Sequence, residues 1–196
     1  MNAHAPVDTP SPWIVRWADA IAPKGSVLDL ACGSGRHVRL LAARGLRVTA
    51  LDRNRDALDR CSAAAERIEA DLEGAPWPLV GRHFDAVVVT NYLWRALMPR
   101  IVDCVAPNGL LLYETFALGN ERFGKPSNPE FLLRAGELLT HVNGLHVLAF
   151  EDGMADAPAR RIQRVAAWRA PDANALPPRL GPVESALKST HSQDPP

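Results

Sequence analysis

Val27-Leu28-Asp29-Leu30-Ala31-Cys32-Gly33-Ser34-Gly35-Arg36-His37 is an apolar run that opens into two glycines, after which helical periodicity runs from His37 to Arg44 and stops at Gly45. The stretch reads as strand, loop, helix. In a sheet built of such units, ligands sit beyond the carboxyl ends of the strands, and this is the first such end. The two glycines let the backbone approach a ligand closely, and the helix start offers free N–H donors. A pyrophosphate-binding loop carries a third glycine for close helix-on-strand packing; here that position is Val38, which weakens a dinucleotide reading.

Outward from this unit the alternation continues. Arg47 to Leu51 reads as a strand ending in Asp52, Arg55 to Glu66 as an alanine-rich helix, and Arg67 to Ala70 as a brief strand ending in Asp71. Phe84 to Thr90 is β-branched and apolar, as a central strand covered on both faces should be, and Leu93 to Val105 suits the following helix. Pro107-Asn108-Gly109 turns the chain into a further strand, Leu110 to Thr115. Ahead of the glycine loop, Trp13 to Ala22 has helical spacing with Ser11 as N-cap and Pro12 behind it. Downstream, Phe116 to Pro129 has the composition of a functional loop. A helix capped by Ser127 or Asn128 is expected from about Pro129 to Leu139. Leu145 to Glu151 and Ile162 to Trp168 suit an antiparallel hairpin at a sheet edge. The expected fold is α/β and Rossmann-like: a doubly wound, seven-stranded, mainly parallel sheet with an antiparallel C-terminal hairpin and helices on both faces. One domain over residues 1–170 is expected, and the proline-rich residues 171–196 as a disordered tail.

Lys plus Arg balance Asp plus Glu at 22 each over 196 residues, so no net charge draws the chain to nucleic acid or an anionic membrane. Cys32, Cys61 and Cys104 lack paired metal-ligand spacing and are odd in number, which fits a reducing cytoplasm better than a disulfide framework. Met1 to Pro12 has no signal-peptide pattern, and no apolar run reaches spanning length. A soluble, cytoplasmic protein without a bound metal is expected.

Asp52 ends its strand at the distance from the glycine loop, about 20 residues, that suits an acid holding ribose hydroxyls. A carboxylate at Asp71 can accept from an adenine amino group while apolar neighbours hold the ring. An isolated strand-end Asp is as often a helix cap, but three strand-end features in consistent order favour a nucleoside ligand. The run Val27 to Gly35 resembles the first motif of class I S-adenosylmethionine-dependent methyltransferases, and the likeness extends from about Ser26 to Thr115. Asp71-Leu72-Glu73, Asn91-Tyr92-Leu93-Trp94-Arg95 and Tyr113-Glu114-Thr115-Phe116 are similar to bacterial proteins grouped with tellurite-resistance-type methyltransferases. The resemblance implies S-adenosylmethionine as cofactor. It gives its amino-acid part to Gly33 and Gly35, its ribose to Asp52 and its adenine to Asp71 with Leu72; Asp29 would order the loop. Ala31, Cys32, Ser34, His37, Arg53, Asn91 and Tyr92 complete the expected cofactor contacts.

Methyl transfer from a sulfonium needs chiefly a nucleophile in line, correct protonation and exclusion of water. Candidates beside the methyl are Tyr92, to orient an acceptor or supply a phenol oxygen, Arg95, to bind an anionic substrate, and Glu114 as a base. Each has a plainer alternative: Asn91 a helix cap, Tyr92 a core aromatic, Arg95 a solvated charge, Glu114 a partner of Arg122 or Lys125, and His37 a polar helix-start contact. The first expectation is an enzyme methylating a small molecule; a noncatalytic S-adenosylmethionine-binding protein and an NAD-dependent oxidoreductase are the rivals.

Overall fold

The computed structural model describes residues 8–156 and 158–179; the rest of the expected tail, residues 180–196, lies outside them. Seven strands form one sheet in the order β3-β2-β1-β4-β5-β7-β6. The strands are β1 (Ser26–Leu30), β2 (Arg47–Asp52), β3 (Glu66–Glu69), β4 (Phe84–Thr90), β5 (Val105–Phe116), β6 (His146–Ala155) and β7 (Arg160–Trp168). β1 to β5 pair in parallel, and β7 lies antiparallel between β5 and β6. The strand order reverses at β1, so the turns after β1 and β4 open side by side at the carboxyl edge.

Alternation along the strands creates two cores. On one face Leu28, Leu30, Val87, Val89, Leu111 and Tyr113 pack beneath α4 (Met98–Asp103) and α5 (Glu137–His141). On the other, Val27, Val48, Ala86, Val88 and Leu112 pack beneath α1 (Pro12–Trp17) and α2 (Arg36–Ala43), with Leu58 of α3 (Arg55–Asp59). The sheet is covered on both faces, as the uniformly apolar β4 demands. Ser11 caps α1 by accepting the Trp13 N–H at 3.1 Å, and Pro12 opens the helix. The chain continues as a 3-10 turn over Ala18–Ala20.

Several expected boundaries differ; α1 ends at Trp17 instead of Ala22, and β6 runs on to Ala155 instead of ending at Glu151. The alanine-rich helix from Arg55 stops at Asp59 instead of Glu66, because the Ala65 N–H is taken by the Val48 carbonyl as the chain swings into β3. Sheet pairing overrides alanine's helix propensity there. The helix expected over Leu93 to Val105 is a 3-10 turn, Arg95–Leu97, followed by α4. β5 starts at Val105, and Pro107 to Gly109 form an irregularity within it in place of a preceding turn. Between Pro129 and Leu139 there is no continuous helix. A 3-10 turn, Pro129–Phe131, leads to an extended Leu133 that bridges to Ala117, and Gly136 at φ +68° separates this from α5. No helix among the described residues is long and apolar enough to cross a membrane.

Candidate functional site

The turn after β1 begins with Ala31 at φ +54°, and the turn after β4 with Asn91 at φ +56°. A left-handed non-glycine residue costs roughly 1–2 kcal/mol, so two on adjacent strand ends mark a place where the surroundings impose the shape. The Asn91 N–H is held by the Glu114 carbonyl at 2.9 Å, and the Cys32 N–H by the Leu51 carbonyl at 3.0 Å. Gly33 and Gly35 follow at φ +54° and +77°. Around a Cβ placed on Gly33 there would be open space, whereas a Cβ on Gly35 would meet Cys61 Sγ at 2.6 Å. The first glycine therefore borders open space and the second lies against the protein.

Asp52 secures this loop. Its Oδ2 accepts the Gly33 N–H at 2.8 Å and its Oδ1 the Asn54 N–H at 2.9 Å. A cavity of about 130 Å³ opens beside it. Asp52 and Arg53 bound it after β2, Asp71, Leu72 and Glu73 after β3, and Ala31 with Tyr92 on the β1 and β4 side. Asp71 also accepts the Glu73 N–H at 3.0 Å, which curls the chain so that Leu72 and Glu73 both reach the cavity. Six residues expected to contact a nucleoside thus converge: Ala31, Asp52, Arg53, Asp71, Leu72 and Tyr92. Ala70 and Glu73 line the same space and were not anticipated. The Asp71-Leu72-Glu73 run was the available signal for Glu73.

Asp29 lies beneath the loop with no exposed surface, and neither carboxylate oxygen has a hydrogen-bond partner among the described residues. Burial pushes its carboxyl up to about 7, against the opposing pull of Arg36. The side chain that hydrogen-bonds the loop backbone at Gly33 is Asp52. The Cys32 side chain turns away from the cleft into the α1/α2 core, 3.9 Å from Cys61 Sγ, so only its backbone is available to a ligand. Burial raises both thiols above their usual range. Ser34 spends its carbonyl on Arg39 at 2.8 Å.

Three side chains stand elsewhere than expected. His37 is 1% exposed; its Nε2 accepts the Ser11 N–H at 3.0 Å. Burial and Arg36 lower its pKa to about 3, so it is a neutral core acceptor and not a pocket wall. Arg95 does not await an anionic substrate. Its guanidinium grips Glu137 at 2.6 and 3.0 Å and donates to the carbonyls of Glu130 at 2.6 Å and Leu132 at 2.8 Å. Glu114 does not present a base to the cleft and does not pair with Arg122 or Lys125. It is 1% exposed, accepts from Ser11 Oγ at 3.1 Å, and faces Arg160 at 3.5 Å and Arg164 at 3.4 Å.

Tyr92 is half-buried with its hydroxyl unpartnered, and burial, then Glu73 and Asp71, raise its pKa well above the usual range. It is a neutral donor aimed into a confined space. Asn91 is exposed and caps no helix, since the next helical turn begins at Arg95.

A family model described as a methyltransferase domain matches residues 27–109. The putative methyltransferase YqeM of Bacillus subtilis (strain 168) is 31% identical over 131 residues, which is 58% of this chain. The chain spans about half the length of that curated relative, 50% of it. Among solved structures, TehB from Haemophilus influenzae superimposes with a TM-score of 0.66 at 21% identity, over 80% of this chain and 61% of that one. The N-methyltransferase NodS from Bradyrhizobium japonicum does so at 0.63 and 16% identity, over 80% and 92%. A TehB-like S-adenosylmethionine-dependent methyltransferase from Corynebacterium glutamicum does so at 0.59 and 18%, over 80% and 87%. At these identities the structural likeness speaks for the fold, while the match over residues 27–109 covers the glycine loop and both acidic strand ends. Residues 27–109 therefore match a methyltransferase domain, on a fold that the chain shares with S-adenosylmethionine-dependent methyltransferases.

Proposed function

We propose that this protein transfers the methyl group of S-adenosylmethionine to a small-molecule acceptor in the cytoplasm, as a single domain over residues 1–170. The observation that carries the reading is the cavity between Asp52 and Asp71, joined to the open space over Gly33 by the hydrogen bond from the Gly33 N–H to Asp52. The cavity's lining suits the cofactor: Asp52 would accept from ribose hydroxyls, and Asp71 with Leu72 would take adenine's amino group and flat face. Asp29 supplies a buried carboxylate with vacant lone pairs beneath the loop, suited to an ammonium group.

When bound, the cofactor supplies a methyl group already activated on a sulfonium. The chain's task is then to orient, exclude water and leave the nucleophile unprotonated. Tyr92, protonated, orients by donating a hydrogen bond. Of the three candidate catalytic side chains none offers a free proton acceptor: the phenol holds its proton, Arg95 is clamped and Glu114 is ion-paired. An acceptor that arrives with its lone pair free suits this cleft.

Incubation of the purified chain with heavy-methyl S-adenosylmethionine and a mixture of small metabolites tests the proposal. Mass-shifted products that vanish with Asp52→Ala are expected. Tight S-adenosylhomocysteine binding with no transfer to any metabolite would favour the noncatalytic rival, and tight NAD binding alone the oxidoreductase.

A further inference from the structure

A second group of charges lies across the glycine loop from the cavity, on the β4, β5 and β7 side of the sheet. Arg36 follows Gly35 directly, is buried, and donates only to neutral oxygens: the Thr9 carbonyl at 3.2 Å and Thr90 Oγ1 at 3.4 Å. Arg160, at the start of β7, has its Nη2 3.5 Å from Glu114 Oε1, while its Nε is buried with no hydrogen-bond partner among the described residues. Arg164 meets Glu114 Oε2 at 3.4 Å but is also committed to Glu151. Glu114 is a near carboxylate for both Arg36 and Arg160, and Asp29 is a second for Arg36. The buried Arg160 Nε is a charged donor left without an acceptor, and such a donor is costly unless an anionic oxygen completes it.

The strand order says what that anion belongs to. The nucleoside cavity is lined mainly from the ends of β2 and β3, closed by Ala31 and Tyr92 from the β1 and β4 turns, and Arg36, Thr90, Glu114 and Arg160 lie beyond it toward β4, β5 and β7. We infer that Arg160, with Arg36, holds an anionic group, a carboxylate or comparable oxyanion, on the methyl acceptor. The inference rests on the methyltransferase reading and gives its substrate class. The segment Thr9 to Ser11 roofs the group through the Thr9 carbonyl on Arg36 and Ser11 Oγ on Glu114. An anionic acceptor also needs no general base, in keeping with the commitments of Tyr92, Arg95 and Glu114.

The test is titration calorimetry with benzoate and its neutral isostere benzamide, with and without saturating S-adenosylhomocysteine. Benzoate is expected to bind at least about tenfold more tightly than benzamide, as charge-assisted hydrogen bonds to a buried guanidinium imply. Arg160→Gln is expected to erase that preference and Arg160→Lys to restore part of it, with S-adenosylhomocysteine affinity changed less than about twofold in either. Equal binding of the two probes, no binding of either, or a preference that survives Arg160→Gln overturns the inference. So does competition between benzoate and S-adenosylhomocysteine, which would assign the guanidiniums to the cofactor's own carboxylate. Failure of S-adenosylhomocysteine to bind would overturn the methyltransferase reading instead, and the benzoate arm would still decide whether the anion site exists.

Discussion

Substituting alanine for each loop glycine in turn separates what the loop does for the fold from what it does for a ligand. Both residues are left-handed, so each Gly→Ala change carries about 1–2 kcal/mol of backbone strain. At Gly33 nothing lies within 4 Å of the new Cβ, and strain is the whole cost. At Gly35 the Cβ would stand 2.6 Å from Cys61 Sγ and 3.4 Å from Val38 Cβ, and overpacking adds roughly 1–3 kcal/mol. Urea unfolding should therefore show Gly35→Ala destabilised by about 2–5 kcal/mol and Gly33→Ala by about 1–2. Cofactor affinity should respond in the reverse order, because on the proposed reading the cofactor would enter the open space over Gly33. By calorimetry, S-adenosylhomocysteine affinity is expected to fall at least about tenfold in Gly33→Ala, a loss of about 1.4 kcal/mol. Cys61→Ala added to Gly35→Ala removes the clashing sulfur and should return the overpacking part, leaving the strain. A Gly33→Ala variant less stable than Gly35→Ala, or no recovery on removing Cys61, refutes this geometry.

Arg95→Ala should release the Glu130 to Glu137 segment, with faster amide exchange confined to about those residues and a loss of roughly 1–2 kcal/mol, discounted because the Arg95 side chain is 31% exposed. Arg95 first, and then the Arg134 N–H, hold the Glu137 carboxyl down to about 2, so that pair stabilises the fold above pH 4.5 and is lost as pH falls toward 2; Glu137→Gln should flatten that acid limb in a stability-against-pH titration. Asp29 has the opposite sign. Its folded pKa lies near 7 against an ordinary 3.8, so its ionisation destabilises the unliganded chain progressively as pH rises from about 4 to 7, by roughly 4 kcal/mol in all; Asp29→Asn should remove that slope. Asp52→Ala frees the Gly33 and Asn54 N–H groups and should cost cofactor affinity by at least about tenfold while leaving the far-ultraviolet spectrum unchanged, and a loss of folded signal would contradict it.

The parts of the site legible in the sequence were those whose causes are local. An apolar run breaking into glycines specifies a strand, a left-handed turn and a helix within eleven residues, and Asp52 and Asp71 were readable because each ends a strand. The α3 boundary was not, since it is set by the Val48 carbonyl taking the Ala65 N–H, a sheet contact no helix propensity registers. The roles of Arg95 and Glu114 were hidden for the same kind of reason. Arg95 is defined by Glu137, 42 positions away, and Glu114 by Ser11 at 103. The residue types announced charge; only the fold announced that the charge was already spent. Ala31 had no signal at all, since nothing in its type forecasts a left-handed strand end.

The grip of Arg95 on residues 130 to 137 bears on how such a protein can diversify. The segment from Glu130 to Leu138 is fastened from the β4 turn by the Arg95 guanidinium, through two carbonyls and the Glu137 carboxylate, and from β7 by Gln163, which accepts the Leu138 N–H and donates to the Arg134 carbonyl. Most of the loop can thus be rewritten by drift without loosening its attachment, provided Arg95, Glu137 and Gln163 are inherited together. A recombination point falling between any two of them severs part of the fastening, whereas one placed before β4 or after β7 exchanges the whole cassette intact.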